Sequence, residues 1–565
     1  MPRLRLIADG TGPRVPPAAA RAVAAVATGL LLAAAFPAPD LGMIALVALI
    51  PLLLAADRVR PRTAAGLGAL AGLVFFGIVA TWISAIGNER AAGVAAWAGL
   101  VVVQAGYLAA FTALVPASRR LGRARIPLLA AAWVAVELIR GRFPLGGFAW
   151  GQLGLTQHDG PLLPLAGVIG ADGLSFVIAG INLLLAEAVV SLAGRRARRA
   201  AVLAAVAVVP FLAGLAAPGP PAPDGPAVKV AAIQGNVPFD RSNRGLTNFA
   251  VFSRHVAMTE ALAGGPRPDL VVWGEGAADD DPVANPLRAA DVARAASAAG
   301  APLLLGATTE LGGGRYATEG LLFTPGGQLA DRYVKRRLVP FGEYVPGGGF
   351  TRALIPATGQ LPYDKRPGDR LEPLLLNGTP MGVLICYESS YAEDAAQLTR
   401  RGARFLVLLG NNASFGRSPL SAQHLASVQL RAVEQGRTIV FTTVSGRSAI
   451  VTPDGRASQT TDLYTAATIL ADVQPRSGLT VYGRIGRAVQ ALMLGLTVAL
   501  LALLLLGRRR RRAPVVDLGT EGAGSGTSAP RAPAGDPDPS TPVADPPASA
   551  SAPDLRAREP GSARS

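Results

Sequence analysis

The sequence predicts a polytopic α-helical membrane domain joined to an α/β domain. Half of the 565 residues are hydrophobic and only 16% are charged, whereas soluble chains average about a quarter charged. Apolar stretches of bilayer-spanning length fill the first 217 residues and return once, near 487–507. Between them, short β-branched runs alternate with segments of helical period, which is typical of a buried sheet covered by helices.

Eight apolar stretches are predicted as transmembrane helices, because crossing the ~30 Å hydrocarbon core takes about 20 residues. The second and fifth are short, and are open to a tilted, re-entrant or buried arrangement. The first also resembles a signal peptide, an alternative that leaves the later topology unchanged. The eight lie at about 18–36, 41–56, 64–86, 91–115, 127–140, 163–193, 200–217 and 487–507.

Arginines indicate the orientation, since positively charged loops near membrane segments stay in the cytoplasm. Alternate connections, counted from the N-terminus to Arg508–Arg512, carry 20 arginines. The intervening loops carry three: Arg90, Arg140 and Arg142. This alternation predicts cytoplasmic termini and an extracytoplasmic insert. It also explains the net charge of +16 without nucleic acid as a partner.

The composition predicts the boundaries of five segments. We expect a membrane domain over 1–217, a Pro-rich linker over 218–227 and a catalytic domain over 228–473. A return segment with the eighth helix follows over 474–507. The remainder, 508–565, has a basic start and almost no large apolar side chains, so we expect a disordered cytoplasmic tail.

The insert contains six short apolar runs that we predict as strands of the α/β domain. Their spacing, with Ala/Arg/Glu-rich stretches between them, favours a sheet with helices packed on it. The runs are 228–233, 269–273, 302–306, 382–386, 405–409 and 438–442.

Three chemically distinctive residues stand out. Glu275 follows the run 269–273, Cys386 ends the run 382–386, and Lys335 lies in the block Tyr333–Pro346. Cys386 is the one cysteine, which excludes an intramolecular disulfide, and three histidines are too few for a His-rich metal site. These counts exclude a disulfide scaffold and a zinc cluster. We expect no metal and no cofactor. A free thiol needs a base or a cation to become a good nucleophile. A carboxylate such as Glu275 is a candidate base, and His424 stays open as another.

Lysine is rare in this chain, which has 54 basic residues but lysine only at Lys229, Lys335 and Lys365. A lysine directly before Arg336 and Arg337 suggests that a compact ammonium is needed there. Each residue also has a plain structural interpretation: a buried filler for the thiol, a turn residue for the glutamate and a surface charge for the lysine.

Together these residues resemble the nitrilase superfamily and, within it, the apolipoprotein N-acyltransferases of bacterial membranes. The resemblance rests on the block Tyr333–Pro346, on Cys386-Tyr387-Glu388, and on Glu137-x-x-Arg140 followed by Gly147-Phe148-Ala149-Trp150. It covers about 18–507. It implies an αββα sandwich between the seventh and eighth of eight transmembrane helices.

The resemblance also implies roles for individual residues. Glu275 would be the general base, Lys335 the charge stabiliser and Cys386 the nucleophile; the supporting residues would be Glu343, Tyr387 and Glu388. The implied reaction moves a fatty acyl chain from a phospholipid, through a cysteine thioester, to the N-terminal amine of diacylglyceryl-cysteine in apolipoproteins. We expect a monomer in the bacterial plasma membrane, with lipid and lipoprotein partners.

Three loops depart from the family pattern and put the rate or the substrate choice in question. Where the family has Trp-Pro-Glu, this chain has Trp273-Gly274-Glu275, and where the family has Asp-Ala-Trp-Phe, it has Asn412-Ala413-Ser414-Phe415. The loop with Ser242-Asn243 lacks the tryptophan that the family often has there. Two alternatives therefore stay open. One is a membrane-tethered amidase in which water resolves the acyl-enzyme, and the other is a catalytically weak lipoprotein-binding paralogue.

Ionisable residues inside apolar stretches are costly in lipid and suggest function. Glu137, Arg140, Asp172 and Glu187 are of this kind. A structural ion pair between Glu137 and Arg140 that reaches toward the interface is the plainer interpretation. Likewise, we expect the helix around Arg431 and Glu434 to be held by salt bridges.

Overall fold

The computed structural model describes residues 17–85, 90–237, 244–354 and 364–512. Predictions about the N-terminal arginines before residue 17, about Ser242-Asn243 and about the tail beyond 512 lie outside these residues. Mostly apolar helices make up the chain up to residue 215. They are α1 (Ala18–Ala35), α2 (Ile50–Ala56), α3 (Pro61–Val79), α4 (Arg90–Ala117), α5 (Arg125–Arg140), α6 (Ala166–Ala193) and α7 (Ala197–Leu215).

Among the described residues, six stretches are long and apolar enough to cross a membrane. One of them, Ala91–Arg140, contains both α4 and α5, which are separated by a turn where Gly122 adopts a φ of +56°. The segment Gly42–Ala56 is apolar but shorter. The long helix α13 (Val481–Arg512) contains the sixth stretch. The count of eight spans therefore remains a prediction.

Charges at one end of the helical domain are paired with each other. Arg125 contacts Asp57 at 2.7 Å and also binds Glu187, which in turn lies 3.2 Å from Arg199. The network joins the end of α2 to α5, α6 and α7. Glu187 therefore has partners on neighbouring helices, which is the condition under which a charge is tolerated at such a position.

The α/β domain is built from two six-stranded sheets of the described residues, ordered β12-β1-β2-β3-β4-β5 and β11-β10-β9-β8-β7-β6. The first sheet contains β1 (Val228–Gln234), β2 (Leu270–Trp273), β3 (Leu303–Gly312), β4 (Arg315–Phe323), β5 (Leu329–Val334) and β12 (Ala467–Val473). The second contains β6 (Leu374–Leu376), β7 (Thr379–Ile385), β8 (Phe405–Gly410), β9 (Ile439–Thr443), β10 (Ala449–Val451) and β11 (Ala457–Ser458).

The two sheets face each other across one buried core, and helices cover their outer faces. Val230 and Val272 of the first sheet share this core with Val383 and Val407 of the second. The alternate residues of the first sheet, such as Val271, pack against the helices that follow β1 and β2. The arrangement is an α/β sandwich. Its central strands are covered on one face by the other sheet and on the other face by helices, so they are buried on both faces. The helices of the domain are α8 (Arg244–Glu260), α9 (Pro286–Ala299), α10 (Gly348–Leu354), α11 (Ala392–Arg400) and α12 (Leu420–Gln435).

All six predicted runs form strands, with boundaries that differ by at most three residues at the start and at most six at the end. Sequence analysis missed the antiparallel strands β4, β5, β6, β10, β11 and β12. Several of these alternate exposed and buried residues or are only two or three residues long. Short mixed segments lack the continuous apolar signal of a strand that is buried on both faces.

Helix α12 joins the α/β domain to the helical domain. Its Glu434 carboxylate accepts a hydrogen bond from the Ala171 amide of α6 at 2.8 Å, and its Gln423 amide donates to the Pro37 carbonyl at 3.0 Å. The expected salt bridge is present as well, with Arg431 2.8 Å from Glu434. Every residue of α12 except Ala422 is buried. The α/β domain is therefore seated directly on the helical domain.

Candidate active site

Lys335 lies at the centre of the site, one residue after β5. Its ammonium is 2.8 Å from Glu275 Oε1 and 2.9 Å from Glu343 Oε2, and its side chain is 1% exposed. Burial by itself disfavours the ammonium, but the negative charges of Glu275 and Glu343 hold the pKa of Lys335 well above its usual value. Lys335 is therefore a permanent cation between two carboxylates.

Glu275 is held where the first sheet meets the second. It lies two residues after the end of β2, and its amide donates to the Gly410 carbonyl at the end of β8, at 3.2 Å. Gly306 of β3 leaves the room for this crossing, because a Cβ there would lie 2.5 Å from the Glu275 Cα. Gly274, which replaces the proline of the family pattern, is similarly confined. A Cβ added at this position would lie 2.9 Å from the Gly410 carbonyl oxygen.

Glu343 is the second partner of Lys335 and has a fixed orientation. Its Oε1 accepts from the Thr318 hydroxyl at 2.8 Å, and its Oε2 accepts from the Val339 amide at 2.9 Å. Lys365 is a further 3.6 Å contact. Burial raises the pKa of this carboxyl, but the two ammonium groups outweigh it and lower the pKa to about 2. Glu343 is therefore a carboxylate at any physiological pH.

Cys386 occupies a tight turn directly after β7. It is the first residue of a 3₁₀ turn, and its φ is +49°, a conformation that non-glycine residues rarely adopt. Such backbone strain is concentrated at functional sites. Burial and the negative charge of Glu275 raise the pKa of the thiol, while Lys335 acts in the opposite direction. The resting thiol is therefore protonated and needs a base.

Glu388 ties the Cys386 turn to the segment that carries Lys335. One of its oxygens accepts from the Tyr333 hydroxyl at 2.8 Å and from the Arg336 and Arg337 amides at 2.7 and 3.1 Å. The other accepts from the Ile385 amide at 2.7 Å. Burial raises the pKa of Glu388 to about 7, although these bonds favour the carboxylate. Four donors and no acceptor in this contact set fit the ionised form.

Tyr387 connects the same turn to the helical domain. Its ring stacks on Trp150 with centroids 6.2 Å apart and an interplanar angle of 9°. Its hydroxyl accepts from Tyr391 at 3.1 Å and contacts the Ala149 amide at 3.5 Å. The residue after the candidate nucleophile is thus packed against the loop that follows α5.

The predicted pairing of Glu137 with Arg140 is wrong. Arg140 instead donates to the carbonyls of Phe148, Trp150 and Gly151, at 3.0, 2.5 and 2.7 Å, and Glu137 accepts from the Leu153 amide at 2.7 Å. Both residues are buried and hold the 148–153 loop. A sequence separation of three on a helix predicted their contact, but the unsatisfied backbone of the returning loop competes for the same groups.

His424 does not stand in the position of a base. Its Nε2 is 3.2 Å from the carbonyl oxygen of Cys386, and its Nδ1 is 3.0 Å from Asn412 Oδ1. Of the departures from the family pattern, Asn412 is buried beside this histidine, whereas Ser414 is exposed. The retained Phe415 packs edge-on against Trp82 at 5.0 Å.

Glu275, Lys335 and Glu343 are in direct contact, and Glu388 ties the turn of Cys386 and Tyr387 to the backbone next to Lys335. The Tyr387 side chain faces the helical domain. Sequence reasoning missed Lys365 as a neighbour of Glu343 and missed the contacts of Trp150 and His424. The segment Gly147–Trp150 was part of the family resemblance, but no residue pattern indicated which part of the α/β domain it contacts. One group of potential metal ligands among the described residues lies elsewhere, at Asp40, His158 and Asp159. In that group, Nε2 of His158 lies 2.9 Å from Asp40 Oδ1, and its Nδ1 lies 3.0 Å from Gln429 Oε1, both within hydrogen-bond distance.

Comparison with known proteins assigns the family. Residues 28–184 match the model of the apolipoprotein N-acyltransferase N-terminal domain, and residues 229–480 match the carbon-nitrogen hydrolase model. The chain is 33% identical to the apolipoprotein N-acyltransferase of Geobacter metallireducens, over 82% of this chain and 91% of that protein. The chain belongs to the apolipoprotein N-acyltransferase family. A second member, from Azotobacter vinelandii, is 35% identical over 86% of this chain and 95% of its own length.

The carbon-nitrogen hydrolase match coincides with the α/β sandwich, so this part of the apolipoprotein N-acyltransferase family has the nitrilase-like fold that the resemblance implied. Among solved structures, the chain is similar to an amidase from Nesterenkonia sp., with 16% identity and a TM-score of 0.34. That alignment covers 45% of this chain and 93% of the amidase. The family assignment rests on the sequence relatives.

Proposed function

We propose that this protein transfers a fatty acyl chain from a membrane phospholipid to the N-terminal amine of diacylglyceryl-cysteine in apolipoproteins. The acyl chain is carried as a thioester on Cys386. One observation carries the assignment of roles: a buried lysine is held between two carboxylates next to a strained turn that presents a cysteine. The function itself follows the family to which the chain belongs.

In the first half-reaction, Glu275 takes the thiol proton and the Cys386 sulfur attacks the ester carbonyl of the phospholipid. The thiol requires this base because its pKa is raised in the resting site. Lys335 stabilises the oxyanion of the tetrahedral intermediate. The intermediate collapses as the C–O bond breaks, and Glu275 returns the proton to the leaving lysophospholipid alkoxide.

In the second half-reaction, the free amine of the lipoprotein attacks the thioester, which is activated toward amines. Glu275 accepts a proton from the attacking nitrogen as the C–N bond forms. The C–S bond then breaks, and the proton passes to the departing Cys386 thiolate. Glu343 remains ionised throughout and keeps Lys335 charged and in place.

Glu388 and Tyr387 act as supporting residues in this proposal. Glu388 fixes the Cys386 turn relative to the backbone next to Lys335, through the bonds to Ile385, Arg336 and Arg337. Tyr387 fixes the same turn against Trp150 of the helical domain. Together they set the distance between thiol and ammonium.

The proposal includes the domain plan and the topology. A membrane domain of 1–217 with seven transmembrane helices is followed by the linker 218–227 and the catalytic domain 228–473. A return segment with the eighth helix spans 474–507, and 508–565 form a cytoplasmic tail. Cytoplasmic termini place the catalytic domain on the extracytoplasmic side of the plasma membrane, where membrane-anchored donor and acceptor meet it without leaving the bilayer. The protein acts as a monomer.

Mass spectrometry of lipoprotein N-termini tests the function. Deleting the gene in a strain without a second copy removes the third acyl chain, and the wild-type gene restores it while Cys386→Ser does not. With an alkyne-tagged phospholipid, the purified protein forms a hydroxylamine-sensitive adduct that Cys386→Ser lacks. Persistence of the third chain in the deletion strain contradicts the function. Transfer of the acyl group to water alone identifies a hydrolase instead.

A further inference from the structure

We propose that His424 is a positioning residue that works as a neutral imidazole. Its Nε2–H holds the backbone carbonyl of Cys386, and the side-chain amide of Asn412 fixes that tautomer. The inference rests on the proposed role of Cys386 as nucleophile. It adds a residue outside the six of the proposed mechanism.

The contact with Cys386 determines which ring nitrogen carries the proton. His424 lies on α12 and is 1% exposed, and its Nε2 is 3.2 Å from the Cys386 carbonyl oxygen. A carbonyl oxygen only accepts hydrogen bonds, so Nε2 must be the donor. In a neutral ring the other nitrogen, Nδ1, is then an acceptor.

Asn412 can meet that requirement. The Oδ1 atom of Asn412 lies 3.0 Å from Nδ1 of His424, while the buried Nδ2 of Asn412 has no hydrogen-bond partner among the described residues. Turning the amide by half a turn exchanges the two atoms. Nδ2 then donates to Nδ1, so the buried amide donor gains a partner, and the carbonyl oxygen takes the position that has no partner among the described residues.

An imidazolium is the alternative, since both ring nitrogens would then donate to oxygen. The surroundings disfavour it. The rings of Trp150 and Phe441 pack on the imidazole, with centroids 5.9 and 4.8 Å away. Among the described residues, the charged group that acts on it is the Lys335 ammonium. Burial and the positive charge of Lys335 lower the pKa of His424 to about 4. The ring is therefore neutral at physiological pH.

This arrangement has two consequences for the nucleophile. Anchoring the Cys386 carbonyl helps to hold the backbone at its φ of +49°, which would otherwise relax. A neutral ring also brings no second cation to the turn, so the thiol stays protonated until Glu275 takes its proton. A carboxylate at position 412 would accept from Nδ1–H and charge the ring.

The ring state can be measured in the wild-type protein. The full chain, labelled with ¹⁵N-histidine in nanodiscs, has three histidines, and the His424 signals are assigned by their loss in His424→Gln. We expect the neutral Nε2–H tautomer from pH 5.5 to 8. An imidazolium at pH 7, or the Nδ1–H tautomer, overturns the proposal. This measurement does not depend on whether a carboxylate variant folds.

The role of Asn412 is tested by alkylation, which reports on Cys386 alone because it is the one cysteine. In Asn412→Asp we expect the pH profile of iodoacetamide labelling to move to lower pH, with labelling at pH 7 about tenfold faster, because the thiolate is the reactive form. The shift should vanish in the double variant with His424→Gln. Asn411→Asp is the matched control, since it adds the same charge next door and should slow labelling.

An unchanged profile in folded Asn412→Asp, or a shift that survives His424→Gln, overturns the proposal. Neither labelling nor the spectrum requires acyl transfer. If Cys386→Ser retained transferase activity, the proposed acyl-transfer mechanism would fail while these two readouts stayed interpretable.

Discussion

Replacing Lys335 by Met should leave two buried carboxylates facing each other without a counter-charge. Glu275 Oε1 and Glu343 Oε2 both lie within 2.9 Å of the same Nζ, so they are less than about 6 Å apart. At an effective dielectric constant of about 20, two like charges at that distance repel by about 3 kcal/mol. One proton relieves this repulsion, and 1.4 kcal/mol corresponds to about one pKa unit.

We therefore expect two effects on acylation of Cys386. Loss of the oxyanion contact lowers the rate by about 10²–10³-fold. In addition, the acid limb of the remaining activity moves up by about two pH units, because the two facing carboxyl groups repel each other without the ammonium. Single-turnover transfer from an alkyne-tagged phospholipid, followed from pH 5 to 9, measures both.

Lys229→Met is the matched control, since Lys229 lies on β1 away from the site. Thermal unfolding in detergent shows whether Lys335→Met is folded, because unpairing a buried charge also costs about 3–5 kcal/mol. A folded variant within threefold of the wild-type rate, or with an unshifted acid limb, would refute the reasoning.

Three further outcomes follow from the site. Glu388→Gln replaces one acceptor oxygen by an NH2 donor that faces at least one buried N–H, so it should cost about 1–3 kcal/mol of stability and slow acylation, measured by thermal unfolding and by the single-turnover assay; unchanged values for both would contradict its bridging role. Trp150→Ala removes the ring stacked on Tyr387 and should cost about 3–5 kcal/mol and lower acylation, whereas an unaffected rate would show that the helical domain does not support the turn. The pKa of Glu343 is lowered to about 2 in the folded protein, whereas it is about 4.3 in the unfolded chain. The ion pair therefore contributes its full stability above about pH 4.3 and loses it as the pH falls toward 2. The unfolding temperature should drop over that window, and it should drop by less in Glu343→Gln.

Much of the site could be predicted because its residues are unusual in this composition. A single cysteine, and a lysine among 54 basic residues that are nearly all arginine, are visible without a structure. The block Tyr333–Pro346 and the sequence Cys386–Glu388 then indicated the family. The six apolar strand runs were equally visible, because strands buried on both faces are continuously hydrophobic.

The contacts across the domain boundary could not be predicted in the same way. Arg140 and Glu137 suggested a local pair, because separation along a helix is the information that a sequence contains. In the folded chain they bind the 148–153 loop, and that loop brings Trp150 onto Tyr387. The partner lies 237 residues away in the chain, and no pattern encodes a contact of that range.

The sequence by itself determined the apolar stretches, the α/β insert and the identity of the chemically active residues, because each depends on composition or on short-range period. Only the tertiary structure decided what each active group faces: the two carboxylates on Lys335, the four donors on Glu388, and the Cys386 carbonyl and Asn412 amide on His424. Protonation states and the strain at Cys386 arise from those neighbours, since burial and nearby charge act through space and not along the chain.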